Sequence, residues 1–232
     1  MKKKGILTRE KIVTAAKYNF MKYGYNQTRI QSIADDAGIA LGSLSFYFKK
    51  KEDIAGFILY EYLNKFYEYI QHVENKNDIE WPYLHAAASI PYYLNIYNDI
   101  SDKQFYTELL QAGSPYLNQT TNTFSSVTFI IRKALISMSL NHYDDEIMKL
   151  FSHFGTVGRN ALALNFMTGN FTIDPVTYVN TITAACYSVF GLSNDDISRC
   201  INYANDFHSK HKMEHIHLLW TPESERQCKT CV

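Results

Sequence analysis

Apolar side chains recur at every third or fourth position along almost the whole of this 232-residue chain, and no stretch alternates convincingly. That spacing gives a helix one buried face and gives a strand none, so the sequence predicts an all-α fold. At roughly 150 residues per domain, the length allows one or two domains. No apolar run approaches the ~18 residues that cross a bilayer, and the lysine-rich start is not followed by the apolar core of a leader. A cytoplasmic protein without a membrane partner is therefore expected. Four cysteines are too sparse for a disulfide framework.

The first helix is predicted from Thr8, an N-cap residue, to Tyr23, with Ile12, Ala16 and Phe20 in register and Gly24 as the stop. The second opens at Thr28, with Gln31 three residues on in capping-box spacing. Ile30, Ile33, Ala34 and Ala37 form its buried stripe, and Gly38 ends it. A third, Leu41 to Phe48, turns Leu44 and Phe48 inward and Ser43 and Tyr47 outward. A long fourth helix runs from Lys50 to about Val73, and no linker rich in Pro, Gly or Ser follows it. Further helices are predicted near 80–98, 102–112, 116–140, 144–168, 174–190 and 194–211.

The neutral total charge hides an asymmetry. Residues 1–51 carry eleven basic side chains against three acidic ones, net +8, and residues 52–232 carry net −8. A basic head on an acidic body suits docking on a polyanion. The division expected is a head of residues 1–51 and a body of residues 52–232.

Residues 28–48 read as helix, short glycine turn and helix, the pattern in which the second helix enters the DNA major groove. Around it stand Thr8-Arg9-Glu10, Ala15-Ala16, Phe20, Gly24-Tyr25, Thr28, Ile33-Ala34, Ala37-Gly38-Ile39, Gly42-Ser43-Leu44, Tyr47-Phe48 and Lys51-Glu52-Asp53. In this combination the segment resembles the N-terminal domain of the TetR family of bacterial transcriptional regulators. The resemblance covers about a fifth of the chain. It implies a three-helix DNA-binding domain joined by a long helix to a helical effector-binding and dimerisation domain. It also implies a homodimeric repressor that meets a double-stranded DNA operator and is released by a small-molecule effector. Carried onto this sequence, the DNA-contacting positions are Thr28, Arg29, Leu41, Gly42, Ser43, Ser45, Tyr47 and Lys51. Many members have Tyr where Ser45 stands, so an operator sequence does not transfer.

The resemblance also places dimer contacts on the two long helices near 144–168 and 174–190, at Ile147, Phe151, Phe154, Gly158, Ala161, Ile182 and Cys186. The stretch 80–165 is rich in aromatic residues, and an aromatic-lined cavity with a carboxylate would suit a flat or cationic hydrophobic compound. The candidate pocket residues are His85, Tyr92, Tyr93, Phe105, Glu108, Asn122, Phe129, Arg132 and His153.

No phosphate loop, dinucleotide glycine fingerprint, nucleophile elbow or HExxH helix occurs, so neither an enzyme nor a cofactor is expected. A different sensor is conceivable at the C-terminus. There His208, His211 and His215 share helical spacing, and Cys228 and Cys231 form a CxxC pair suited to metal or redox chemistry.

Overall fold

The computed structural model describes residues 2–76, 78–113 and 145–220, with the backbone course alone at 2–4, 145, 147–149 and 151–156. Among the described residues the only regular elements are helices. In chain order they are α1 (Lys2–Gln27), α2 (Ile30–Asp36), α3 (Leu41–Tyr47), α4 (Lys51–Val73), α5 (Trp81–Asn98), α6 (Ile100–Gln111), α7 (Asp145–Met167), α8 (Pro175–Val189) and α9 (Asn194–Lys210). None is long and apolar enough to cross a membrane. The helix predicted at 116–140 lies outside the described residues.

Local chemistry fixes most helix starts. Asp53 accepts the Lys50 N–H at 2.9 Å, and Glu52 and Asp53 place negative charge on the first turn of α4. Asp99 accepts the N–H groups of Ser101 and Asp102 at the head of α6, and Asp174 and Ser193 cap α8 and α9.

Two expectations near the N-terminus need correction. α1 begins well before Thr8, and its extra turns leave Ile6 and Leu7 largely exposed, so no buried stripe announced them. The Thr28–Gln31 capping box does not form. Thr28 is buried and donates its hydroxyl to the Gly24 carbonyl at 2.7 Å, while Gln31 bonds Asp35 instead. α2 therefore starts at Ile30.

The buried side chains form one continuous cluster from Ile12 to Leu219. Head and body share it: Phe105 of α6 packs its ring 4.9 Å from that of Phe20 in α1. The chain after α9 returns along the body, where Asn95 donates to the carbonyls of Met213 and Ile216. Fully buried Asp102 accepts the N–H groups of Leu218 and Leu219 at 3.0 and 3.1 Å.

That latch predicts a pH dependence. Burial above all, then the charge of Asp99, pushes the Asp102 carboxyl up to about 7, against the two N–H bonds and Lys17. The folded chain thus holds this proton more tightly than the unfolded chain. Its contribution to stability is full below the ordinary value of 3.8 and is lost as pH rises through about 7. Asp102→Asn removes the titration and one acceptor, so the variant is expected to begin about 1 kcal/mol lower. Its melting temperature should then fall less between pH 5 and pH 8 than that of the wild type. Parallel pH profiles in thermal unfolding would assign the slope elsewhere.

Candidate functional site

The outward face of α3 is the first candidate surface. Leu44 is fully buried and Phe48, just past the helix, is nearly so, which anchors α3 on the core and turns its other side to solvent. Leu41, Gly42, Ser43 and Ser45 are exposed, and Tyr47 is half-buried. Ser45 donates its hydroxyl to the Leu41 carbonyl at 3.0 Å. Gly42 has open space around it, so another surface can approach the backbone closely there. Phe46 is 84% exposed, its ring 5.3 Å from that of Tyr47. The sequence reading did not name Phe46; its place between inward Leu44 and inward Phe48 was the available signal.

The expected phosphate contacts divide. Arg29 is exposed at the start of α2. Thr28 is buried, and its hydroxyl is committed to Gly24. Lys51 is part-buried: its Nζ donates to the Tyr25 and Thr28 carbonyls at 2.7 and 2.9 Å and sits 4.2 Å over the Tyr25 ring. Burial lowers its pKa from the ordinary value. Two of its three donors therefore tie α4 to the turn before α2, which makes Lys51 a positioning residue for the head.

The second candidate site lies inside the body. His85, Tyr92 and Tyr93 all lie there within range of one charge, that of Arg159. His85 stacks on Trp81 at 4.6 Å, and its Nδ1 stands 3.1 Å from the Tyr187 hydroxyl. That hydroxyl donates to the Pro82 carbonyl, so Nδ1 carries the hydrogen. Burial, then Arg159, holds His85 at about 3, and the ring is neutral. Phe105 and Glu108 do not belong to this site. Phe105 fills the seam between α1 and α6, and Glu108 accepts the Asn26 N–H at 2.7 Å in the same seam. Asn122, Phe129, Arg132 and the His153 side chain lie outside the described residues.

Sequence reasoning missed the charge at the centre of this site. Arg159 of α7 extends inward, in register with buried Ala163 and Phe166 one and two turns on. Tyr67, Tyr92, Tyr93, Tyr106, Tyr178 and Cys186 all lie within range of its charge. The register with Ala163 and Phe166 was the signal in the sequence.

On α7, Leu150 and Val157 are 64% and 40% exposed, Ala161 is exposed, and Gly158 has open space around it. On α8 the expected face is rotated. Ile182 is buried within the chain and Cys186 stands beside Arg159, while Thr177, Thr181, Ala185 and Ser188 face outward. Ile147, Phe151 and Phe154 lie outside the described side chains.

His208, His211 and His215 are not brought together as ligands. His211 packs on Phe207 at 4.4 Å and His215 on Tyr69 at 5.7 Å. Among the described residues the group with ligand-like spacing is Asp99, Asp102 and His217, whose carboxylates already accept N–H bonds. Cys228 and Cys231 lie outside the described residues.

Residues 12–56, which span α2, α3 and the start of α4, match the model of the bacterial regulatory proteins of the tetR family. The chain carries the DNA-binding domain of the TetR family. The proteins that share this domain are DNA-binding transcriptional regulators rather than enzymes. The chain's helical architecture is similar to that of RolR solved in complex with resorcinol, at 14% identity over 88% of this chain and 96% of that one, with a TM-score of 0.53. The fatty acid degradation regulator FadR from Bacillus halodurans also matches, at 16% identity over 81% and 96% of the two chains, with a TM-score of 0.46. At such identities the likeness to RolR is one of fold. A comparison with curated proteins found no match.

Proposed function

We propose that this chain is a ligand-responsive repressor of the TetR family that binds a palindromic operator as a homodimer and leaves it when a small effector occupies the body. Residues 1–51 are the reading head, and residues 52–232 hold the effector and the partner copy. The observation that carries the reading is the open face of α3, where Gly42, Ser43, Ser45 and Phe46 stand exposed on an anchor of Leu44 and Phe48. Small polar side chains let the helix sit deep in a major groove, and Ser43 can exchange hydrogen bonds with a base edge. Phe46 offers an apolar surface of the kind that packs on a thymine methyl group. Arg29 supplies a phosphate contact at the flank.

The exposed stripe Leu150, Val157 and Ala161, with the small outward residues of α8, supports pairing with a second copy. A two-fold pair would present its recognition helices about 34 Å apart, one turn of DNA. RolR was solved in complex with resorcinol, a small aromatic compound, and a small effector is proposed for the inner site here as well.

Selection of bound fragments from a random DNA pool tests the reading. The wild type is expected to enrich a palindrome. Ser43→Ala should change the base preference at one position, by about 1–3 kcal/mol. Arg29→Ala should weaken all sequences alike and reduce the salt slope by about one unit. Enrichment without two-fold symmetry would remove the dimeric operator from the proposal, and none at all from folded protein would remove the reading head.

A further inference from the structure

The body holds a half-buried cation, Arg159, whose partner is missing among the described residues. The Arg159 Nε–H is fully enclosed and has no hydrogen-bond acceptor among the described residues. The described ion pairs, Arg199 with Asp196 and Lys210 with Asp206, are exposed on α9 and far from this role. Guanidinium does not deprotonate in a protein, and even a half-buried charge is unfavourable without a partner. Burial works against the Arg159 charge, but Tyr93, Cys186, Tyr106 and Tyr92 around it keep its pKa above the ordinary value.

None of those neighbours carries a compensating charge near neutral pH. Burial pushes the Tyr67, Tyr92, Tyr93, Tyr106 and Tyr178 hydroxyls above their ordinary value and the Cys186 thiol likewise, so all stay protonated. His85 is neutral for the reason given above. The sequence between α6 and α7, residues 114–144, contributes one acidic residue, Asp144, against Arg132 and Lys133.

The unpartnered polar atoms in this cluster are mostly donors. Besides Arg159 Nε–H, the hydroxyls of Tyr67 and Tyr178 are buried without a partner among the described residues. A hydroxyl can accept as well as donate, but next to a fixed cation its hydrogen turns away from the guanidinium and toward any acceptor. Water would satisfy the hydrogen bonds and leave the charge. A carboxylate would satisfy both, with two oxygens matched to the guanidinium fork. Apolar surface for the rest of the molecule is close by, where Phe166 stacks on Tyr178 at 4.0 Å and Tyr97 lies 4.8 Å from Phe166.

We propose that the effector is an anion, a carboxylate on an aromatic or aliphatic body, and that Arg159 with the Tyr67 and Tyr178 hydroxyls holds its head group. This rests on the reading of the body as an effector domain and replaces the cationic compound that the sequence suggested through Glu108, which lies in the α1–α6 seam. The site also joins the right elements for control. Tyr67 belongs to α4, whose first residue, Lys51, holds the turn before α2. Tyr106 follows Phe105, which packs on α1. An anion drawing these helices toward Arg159 therefore acts on both supports of the reading head.

The test uses two matched sets of probes: 2-naphthoate, 2-naphthamide and 2-naphthylmethylamine, and decanoate, decanamide and decylamine. Titration calorimetry and thermal melting are run on the full chain and on Arg159→Met and Arg159→Lys. In at least one set the carboxylate is expected to bind the wild type about tenfold or more tightly than its amide, the ratio of a charge-assisted to a neutral contact. The amine should not bind. Arg159→Met should lose that preference and, without any probe, melt at or above the wild type, because an uncompensated charge has been removed. Arg159→Lys should keep the preference at reduced affinity.

Three results would overturn the assignment: no carboxylate bound at millimolar concentration, an amide or amine bound as tightly as its carboxylate, or Arg159→Met melting well below the wild type, the mark of a pair already made within the chain. Operator binding without probe is measured in parallel. Its absence would strike the regulator reading, whereas operator release by an amine or amide would keep that reading and remove the anion.

Discussion

Phe105→Ala is expected to lower the unfolding free energy by about 3–5 kcal/mol, a large share of the 5–15 kcal/mol that holds a typical domain together. Phe105 has no exposed surface, and its ring meets Phe20 at 4.9 Å and Tyr25 at 6.1 Å. Both neighbours belong to the first element of the head, so the cavity would open where α6 supports α1. Nearby polar contacts do not refill it, because Glu108 is fixed by the Asn26 N–H and Tyr25 donates its hydroxyl to Glu52. Chemical denaturation read by far-ultraviolet dichroism gives the value. Operator affinity should fall as well, since the head loses the surface that orients it. Phe105→Leu, which refills most of the volume, should recover more than half of the stability. A loss under about 1 kcal/mol for the alanine variant would mean that the α1–α6 seam collapses freely and does not orient the head.

The contrast between head and body in what the sequence disclosed has a physical origin. Within the unit of α2, turn and α3, the decisive contacts are local. Leu44 and Phe48 share one face of a short helix, Gly38 ends α2 with φ +66°, and the Ile39 N–H closes the turn on the Ala34 carbonyl. Such features are set within a few residues, and the order α2, turn, α3 was accordingly readable. The Thr28 hydroxyl went unread because its acceptor, the Gly24 carbonyl, is exposed only by the break at that glycine.

In the body, periodicity gave the helices and not their partners. Phe105 and Tyr106 are adjacent in sequence, yet one packs on the head and the other faces Arg159. Aromatic content alone cannot separate those destinations. The outward face of α8 was misplaced for a related reason. Ile182 and Cys186 are the apolar positions and turn into the chain, leaving Thr177, Thr181, Ala185 and Ser188 outside. An outward face built on small residues looks polar in sequence. Arg159 was hidden by its type, since an arginine in a long helix ordinarily reads as solvated surface.

Gly24→Ala should cost about 2–4 kcal/mol and weaken operator binding with it. Gly24 holds φ 76° and ψ 170°, a backbone region open in practice only to glycine, and forcing another residue into it costs about 1–3 kcal/mol. The added Cβ would also lie 2.7 Å from Gln104 Nε2 and 2.8 Å from Glu108 Oε2. Both are ends of flexible side chains and can swing aside, so the clash itself is cheap. Its consequence is less so: Glu108 would release the Asn26 N–H, at about 1 kcal/mol. The same break presents the Gly24 carbonyl to Thr28, so a relaxed backbone would shift the residues that precede α2. Gly42→Ala is the matched control. It lies in α3 with open space about it, and there alanine should hold or raise stability by about 0.5–1 kcal/mol. Operator affinity should nevertheless fall for Gly42→Ala, because the methyl group stands on the exposed face of α3 proposed to meet DNA. Together the two variants separate folding from reading: the first loses stability and binding in step, the second loses binding alone. Equal melting temperatures for Gly24→Ala and the wild type would show that α1 runs past residue 24 without the break, and the link from Glu108 to the head would have to be abandoned.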